Sequence, residues 1–241
     1  MIRFEPTLSE IEQTAAALEG RSAQEILRWA LDRYGLRMAL ACSFGGPSGM
    51  VLLDMLMALE PRVPVFYLDT GVLFPETYDL AAVAERRYGI TPRAVRPSLS
   101  LARQASLHGE ALWSRDPDRC CQIRKVLPQR EFLRGYDAWI TGIRRDQTST
   151  RRATPVVAWD EQFGLAKIAP LVGWSEQDIW DYIRVHDVPY NALHDRGYPS
   201  IGCTHCTRAV LPGEDLRAGR WSGAGKIECG LHRRPETKIA V

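Results

Sequence analysis

Five cysteines occupy positions where their side chains could do chemistry. Two are adjacent, Cys120 and Cys121, two form the motif Cys203-x-x-Cys206, and Cys229 lies alone near the C-terminal end. Thiolate sulfur favours zinc, copper(I) or iron-sulfur clusters, and a Cys-x-x-Cys turn aims two sulfurs at one centre. Adjacent helical residues point in different directions, so the first pair would be strained on one ion, whereas a cluster with separated irons can take both. The spacing favours iron and sulfide, with zinc as a close competitor.

The length, charge and hydropathy of the chain limit the classes of protein to which it can belong. Its 241 residues are enough for one sizeable α/β domain and a tail. With 31 basic and 29 acidic side chains the net charge is only +2, which argues against a general nucleic-acid coat. The first residues lack the apolar run of a signal peptide, and no stretch approaches the length of a membrane span. We therefore expect a cytoplasmic protein that binds neither nucleic acid nor membrane.

In a reducing compartment, six cysteines favour metal ligation or catalysis over a disulfide framework. The sixth, Cys42, ends an apolar run, and we interpret it as a small buried hydrophobe.

Apolar patterns along the chain alternate between strands and helices. Two helices are expected between Ser9 and Tyr34, with Ser9 and Ser22 as N-caps. Strands are expected at 38–41, 63–68, 92–95 and 139–141, with further short strands up to Leu171. Helices are expected at 50–59, 76–88 and 99–108, from about Asp116, and after Ser175. This order predicts an α/β fold with a mostly parallel, doubly wound sheet.

Beyond Pro189 the composition changes. Glycine and proline recur there, and little periodicity survives. The sequence therefore predicts a domain at residues 1–210 and a mobile C-terminal tail at 211–241 that carries Cys229.

Two segments at predicted strand ends could bind anions. Residues 43–49 form a glycine-rich turn between a strand and a helix, which can be a phosphate site or simply a turn. Asp69 ends the second strand at the same edge of the sheet, where it could equally be a turn residue. The segment 142–152 contains four arginines directly after a strand. Arginine forks match phosphate and sulfate oxygens, so this segment is a candidate anion clamp, with a solvated basic loop as the alternative.

Taken together, these motifs resemble the assimilatory sulfonucleotide reductases, and among them the iron-sulfur adenosine 5'-phosphosulfate (APS) reductases. The resemblance rests on five segments in family order, which are Cys120 to Lys125, Gly142 to Arg151, Gly202 to Arg208, Arg217 to Trp221 and Glu228-Cys229-Gly230-Leu231-His232. It implies an ATP-pyrophosphatase-like (adenine nucleotide alpha hydrolase-like) fold. The first loop departs from the ATP-cleaving relatives, because Pro47-Ser48-Gly49 stands where they have an Asp-Ser ending.

The resemblance also implies what the residues do. A [4Fe-4S] cluster would be held by Cys120, Cys121, Cys203 and Cys206. Cys229 would be the nucleophile, in a tail segment whose six basic and two acidic residues favour the thiolate, and His232 would orient or activate it. The substrate would be bound by Ser43, Phe44, Gly45, Leu68, Asp69, Lys125, Arg144, Arg151, Arg217 and Arg220. The double arginine leaves open whether Arg151 or Arg152 contacts it.

The reaction implied is the thioredoxin-dependent reduction of APS to sulfite and AMP through an S-sulfocysteine. Three alternatives stay open at this point. They are a reductase of the 3'-phosphorylated nucleotide (PAPS), an adenylating ATP pyrophosphatase, and a zinc-stabilised protein without catalysis. The oligomeric state stays open as well, with a homo-oligomer among the outcomes.

Overall fold

A computed structural model describes residues 7–232. Its α-helices are α1 (Leu8–Leu18), α2 (Ala23–Tyr34), α3 (Pro47–Leu59), α4 (Pro75–Tyr88), α5 (Leu101–His108), α6 (Leu112–Arg115), α7 (Pro117–Cys121), α8 (Leu127–Leu133) and α9 (Glu176–His186). Its strands are β1 (Met38–Ala41), β2 (Val65–Leu68), β3 (Arg93–Val95), β4 (Ala138–Thr141), β5 (Val157–Asp160) and β6 (Leu165–Ile168). Within the described range, no helix is long and apolar enough to cross a membrane. The sequence interpretation of residues 1–6 and 233–241 lies outside the described residues.

The strands form one sheet in the order β3-β2-β1-β4-β6-β5. All neighbours are parallel except β5, which pairs antiparallel with β6 at the edge. Alternate residues of the central strands point to opposite faces. Met38 and Leu40 pack toward α2, α3 and α9, whereas Ala39 and Trp139 pack toward α8. The predicted α/β, doubly wound architecture is confirmed.

Two helix starts differ from the sequence prediction. The cap of α1 is Thr7 and not Ser9, because Thr7 and Glu10 form a capping box. Helix α3 begins at Pro47, inside the segment interpreted as a turn, because the fixed φ of proline suits the first helical position. The predicted caps Ser22 and Ser175 are both present. Polar capping residues therefore placed the starts of α2 and α9 correctly, whereas the start of α1 was two residues off.

A π-helical turn, Gln122–Val126, joins α7 to α8 into one continuous helix. Its cause is Pro128, which has no N–H to donate to the carbonyl of Arg124 and would crowd that carbonyl in a regular α-helix. The widened turn begins directly after the cysteine pair and carries Lys125. Such π turns recur at functional sites.

The C-terminal segment packs against the domain over its described part. Leu231 joins the cluster formed by Phe66, Val126, Trp139 and their neighbours, and Trp221 is buried. The mobility of residues 211–241 and the boundary at residue 210 stay predictions.

Candidate active site

A cavity of about 350 Å³ opens at the carboxyl ends of β1, β2 and β4. Its walls include the loops after β1 and β4, residues 199–202, and residues 215–217 with Arg220. A Cβ atom on Gly142, just after β4, would lie 3.0 Å from the Cβ of Ser48. Glycine is needed there because the loop passes this close to the first turn of α3. Doubly wound sheets bind their ligands at this edge.

The turn after β1 is built to let an anion approach the backbone. Ser43 and Gly45 line the cavity, as does Leu68 at the end of β2. The N-cap of α3 is Gly46, which has no side chain to occupy the first N–H groups of the helix. Such N–H groups attract phosphate oxygens. These positions fit the contacts expected of Ser43, Gly45 and Leu68.

Phe44 and Asp69 are not among the residues that line this cavity, and their expected substrate contacts stay predictions. The Phe44 ring is fully buried against Tyr67, with ring centroids 5.4 Å apart, because a φ of 52° turns it into the core. Asp69 accepts hydrogen bonds from the Tyr78 hydroxyl at 2.7 Å and the Arg96 Nε at 2.9 Å. Burial alone would raise its pKa, but these donors hold the pKa below its ordinary value. Asp69 therefore orders the loop after β2.

Five basic side chains predicted to bind substrate meet at the cavity: Lys125, Arg144, Arg151, Arg217 and Arg220. They come from three separate segments of the chain, so their convergence is a result of the fold. Positive charge gathered in a partly enclosed cavity matches a ligand with several anionic oxygens.

The two arginines of the Arg151-Arg152 pair lie in different surroundings. Arg151 lines the cavity, whereas Arg152 is exposed and does not. The other arginine pair divides in the same way. Arg144 is 4% exposed and donates to Ser48 Oγ at 2.6 Å, but Arg145 turns outward and pairs at 2.6 Å with Glu19, the residue that follows α1. One arginine of each pair therefore faces the site.

The four cysteines predicted to bind metal line a second, smaller cavity of about 20 Å³. Backbone contacts anchor the second of these segments, because Cys203 forms a β-bridge with Leu73 and the Trp221 N–H donates to the Cys206 carbonyl at 3.0 Å. All six cysteines are free thiols. Packing and backbone pairing thus hold the Cys203-x-x-Cys206 turn in place, which the sequence did not indicate.

The four cysteine sulfurs of this cavity are a donor set that suits a soft metal centre, either zinc or an iron-sulfur cluster. Burial and the adjacent Cys203 and Cys121 sulfurs raise the pKa of Cys206 to about 11. Burial likewise raises the pKa of Cys120 and of Cys121. Thiols crowded in this way ionise readily only when a cationic centre binds them. Among residues 7–232, no group of three or more Cys, His, Asp or Glu side chains is arranged to hold a single metal ion. His205 stacks on Trp113 at 4.1 Å beside the cysteines.

Lys125 lines both cavities and so connects them. Burial by itself would lower its pKa, but the sulfurs of Cys203, Cys229 and Cys121 outweigh burial and raise the pKa. Its ammonium is therefore placed between the sulfurs and the space where an anionic ligand would lie.

The C-terminal segment closes over the larger cavity through a buried ion pair. Arg151 donates to both carboxylate oxygens of Glu228, from Nε at 2.7 Å and from the terminal nitrogen Nη2 at 2.6 Å. Gln162 donates to the Gly230 carbonyl at 3.1 Å, and Lys226 pairs with Asp118 at 2.7 Å. These contacts hold the intervening Cys229, which is partly exposed, at the edge of the site.

His232 also lies at the cavity, stacked on Trp139 with ring centroids 5.7 Å apart. Burial, together with the charges of Lys167, Arg151 and Arg217, holds its pKa well below the ordinary value. The ring is therefore neutral at pH 7. Its Nδ1 is buried without a hydrogen-bond partner among the described residues. A neutral imidazole can accept a proton from a thiol, as the predicted activation of Cys229 requires. That role of His232 stays a prediction.

Sequence reasoning did not find three residues that shape this site. Ser48 holds Arg144, Trp139 forms part of the wall, and Glu228 pairs with Arg151. Trp139 looked like an ordinary core residue of a strand. Glu228 gave a usable signal, because an acidic residue next to the reactive cysteine in a basic tail invites a search for its arginine.

We predict that closure of the tail depends on pH through Glu228. Burial would raise its pKa, but the hydrogen bonds and charge of Arg151, with Arg217, hold it below the ordinary 4.5. The stabilisation is therefore complete above 4.5 and is lost as the pH falls through the lower folded-state value. Hydrogen exchange of residues 226–232 should speed up, after correction for intrinsic rates, at pH values below about 4.5. In E228Q exchange should be faster at neutral pH and flat across this range, and a parallel pH response in that variant would contradict the prediction.

Comparison with known proteins shows the family to which the chain is similar. A family described as the phosphoadenosine phosphosulfate reductase domain matches residues 37–209. The adenosine 5'-phosphosulfate reductase of Shouchella clausii is 47% identical over 225 residues, which cover 93% of each chain. Adenosine 5'-phosphosulfate reductase 2 of Bacillus subtilis is 46% identical over 210 residues, or 87% of this chain and 89% of the relative.

Solved structures agree with this placement. The phosphoadenylyl-sulfate (PAPS) reductase of Candida auris, a phosphate complex, superposes with a TM-score of 0.74 at 32% identity, covering 87% of this chain and 100% of the other. The FMN adenylyltransferase of Candida glabrata has a TM-score of 0.57 at 14% identity, covers 81% of this chain and 62% of the other, and shows likeness of fold alone.

The sheet order and the nucleotide-sized cavity at its carboxyl edge define an enzyme with the adenine nucleotide alpha hydrolase-like fold. The chain belongs to the phosphoadenosine phosphosulfate reductase family.

Proposed function

We propose that this protein reduces adenosine 5'-phosphosulfate to sulfite and AMP in assimilatory sulfate reduction. The observation that carries the proposal is the gathering of five basic side chains at one cavity, with Cys229 close enough to two of them, Lys125 and Arg217, to interact electrostatically. Relatives named for this activity align with almost the whole chain, which supports the choice of substrate. The adenosine would lie over the strand ends at Ser43, Gly45 and Leu68, with the phosphosulfate toward the arginines.

The chemistry begins with the Cys229 thiolate. Its sulfur attacks the sulfur atom of the phosphosulfate, an S–S bond forms, and the bond from that sulfur to the bridging phosphate oxygen breaks. AMP leaves with the electron pair of the broken bond. Arg144, Arg151, Arg217, Arg220 and Lys125 stabilise the charge that develops on the leaving phosphate.

The S-sulfocysteine is then reduced by a dithiol protein of the thioredoxin type. One thiolate of the dithiol attacks the Cys229 sulfur and releases sulfite. Its second thiolate resolves the mixed disulfide and frees Cys229, so the dithiol supplies the two electrons. The free thiols of this chain fit a reducing compartment, and we infer a cytoplasmic location.

We further propose that Cys120, Cys121, Cys203 and Cys206 hold a [4Fe-4S] cluster. Bound there, it would fasten the two cysteine segments together and shape the electrostatic field around Lys125. No electron transfer through it is needed, because thiol exchange already accounts for both electrons.

One experiment tests the activity and the cofactor on the same sample. The protein is purified without oxygen, its iron, acid-labile sulfide and zinc are measured, and sulfite release from APS and from PAPS is followed with reduced thioredoxin. We expect iron and sulfide in equal amounts and turnover that strongly prefers APS. A preference for PAPS would make the protein a PAPS reductase, and zinc alone without turnover would overturn both proposals.

A further inference from the structure

Unpaired hydrogen-bonding atoms in the described part of the chain are concentrated at the active site. The buried side-chain nitrogens without a partner there are Gln129 Nε2, Arg220 Nε, Trp221 Nε1 and His232 Nδ1. Every one of these residues lines one of the two cavities. Buried polar groups are nearly always paired, so an unpaired group at a cavity points to a partner in the ligand. Arg220 and His232 already have proposed roles and Trp221 borders the cysteines, which leaves Gln129.

Gln129 is placed to meet the transferred group. It lies on α8, is 1% exposed, and lines the larger cavity. Lys125 and Val126 precede it by about one helical turn, and the tail packs on that turn, because a Cβ atom on Gly230 would lie 3.5 Å from Val126 Cγ2. Lys125 in turn interacts electrostatically with Cys229. The amide is therefore on the side of the cavity toward which a group moves when it passes to Cys229.

We propose that Gln129 contacts the substrate, with its side-chain amide donating a hydrogen bond to an oxygen of the sulfo group as Cys229 attacks. This inference rests on the proposed function. The sulfo group carries oxygens before and after transfer, and it leaves the nucleotide for the tail. A neutral donor on the tail side can keep its hydrogen bond to those oxygens during the transfer without binding the departing AMP. The arginines can then bind the phosphate.

A role of Gln129 in packing can be told from a contact with the substrate by the stability of the Q129M variant. An amide without a partner contributes little to stability, and an apolar side chain of the same shape can be neutral or stabilising in its place. If the amide serves the substrate, Q129M should therefore slow the reaction without lowering the unfolding temperature. If it served packing, both should fall together.

The test uses the purified holoenzyme and two variants, Q129M and Q129E, which keep the length of the side chain. AMP release from APS is followed in a single turnover, AMP affinity is measured separately, and thermal unfolding is recorded. For Q129M we expect a rate lower by about tenfold to about a hundredfold, as for one hydrogen bond to a charged group. AMP affinity should stay within about twofold, since AMP lacks the sulfo group. Q129E, which adds negative charge, should be slower still.

Two outcomes separate the inference from the function beneath it. If the wild type releases no AMP from APS, the proposed function fails and the inference fails with it. If the wild type reacts and Q129M or Q129E reacts equally fast, only the inference is overturned, as it is if rate, AMP affinity and unfolding temperature fall together. Q177M, the same change at an exposed glutamine on α9, serves as the matched control and should react like the wild type.

Discussion

Replacing Cys229 with serine should abolish sulfite formation, with a loss of at least about a thousandfold in turnover. A serine hydroxyl stays protonated at neutral pH and is a far poorer nucleophile than a thiolate, and it cannot form the S–S bond that stores the sulfo group. The cluster ligands are untouched, so the iron and sulfide contents should equal those of the wild type. Sulfite assays and metal analysis on one preparation check both parts.

Cys42 provides the matched control for this variant. Its thiol is fully buried, and burial raises its pKa to about 12, so it takes no part in thiolate chemistry at pH 7. C42A should therefore retain sulfite formation and cost only stability. If C229S turned over normally, or if C42A lost activity while keeping its fold and iron, the assignment of the nucleophile would be wrong.

Replacing Arg151 with methionine should lower kcat/KM for APS by about a hundredfold to about a thousandfold. In the proposed binding mode Arg151 would donate charge-assisted hydrogen bonds to the substrate, each worth about 1.5 to 3 kcal/mol, and losing two of them would give an effect of this size. The change also leaves the buried Glu228 carboxylate without its main partner, which should weaken docking of the tail. Steady-state kinetics and hydrogen exchange of residues 226–232 measure the two effects.

The neighbouring arginine gives a control that differs by one position. Arg152 is exposed and does not line the cavity, so R152M should keep kcat/KM within about twofold. Adding E228Q to R151M should restore part of the tail docking but not the kcat/KM, because the neutral amide no longer leaves a buried charge unpaired. Equal losses in R151M and R152M would show that general positive charge, and not the position of Arg151, matters.

Much of the fold could be predicted because its signals are local. The buried strands β1 and β2 are short apolar runs, and the caps Ser22 and Ser175 begin their helices with the polar side chains that helices favour. The π turn could not be predicted with the same tools. It depends on how Pro128 disturbs a helix that packing nevertheless keeps continuous.

The site divides in the same way between local and distant effects. The cysteine motifs and the arginine segment have recognisable spacing, and the structure brings them together as expected. The Arg151–Glu228 pair joins residues 77 positions apart, and although the position of Glu228 beside Cys229 indicates a basic partner, no pattern in the sequence identifies that partner as Arg151. The inward direction of the Phe44 ring could not be predicted, because it depends on one backbone angle in the turn. That the Gln129 amide lacks a partner could not be predicted either, because it depends on which groups surround it in the folded chain.

The central claim is that the sulfo group passes to Cys229 before any reductant acts. It is tested most directly by mixing the reduced protein with APS in the absence of thioredoxin, quenching the mixture, and analysing the cysteine peptides by mass spectrometry. We expect an S-sulfo group on the peptide that contains Cys229, with AMP released in equal amount. AMP release without that adduct, or an adduct on any of the other five cysteines instead, would contradict it.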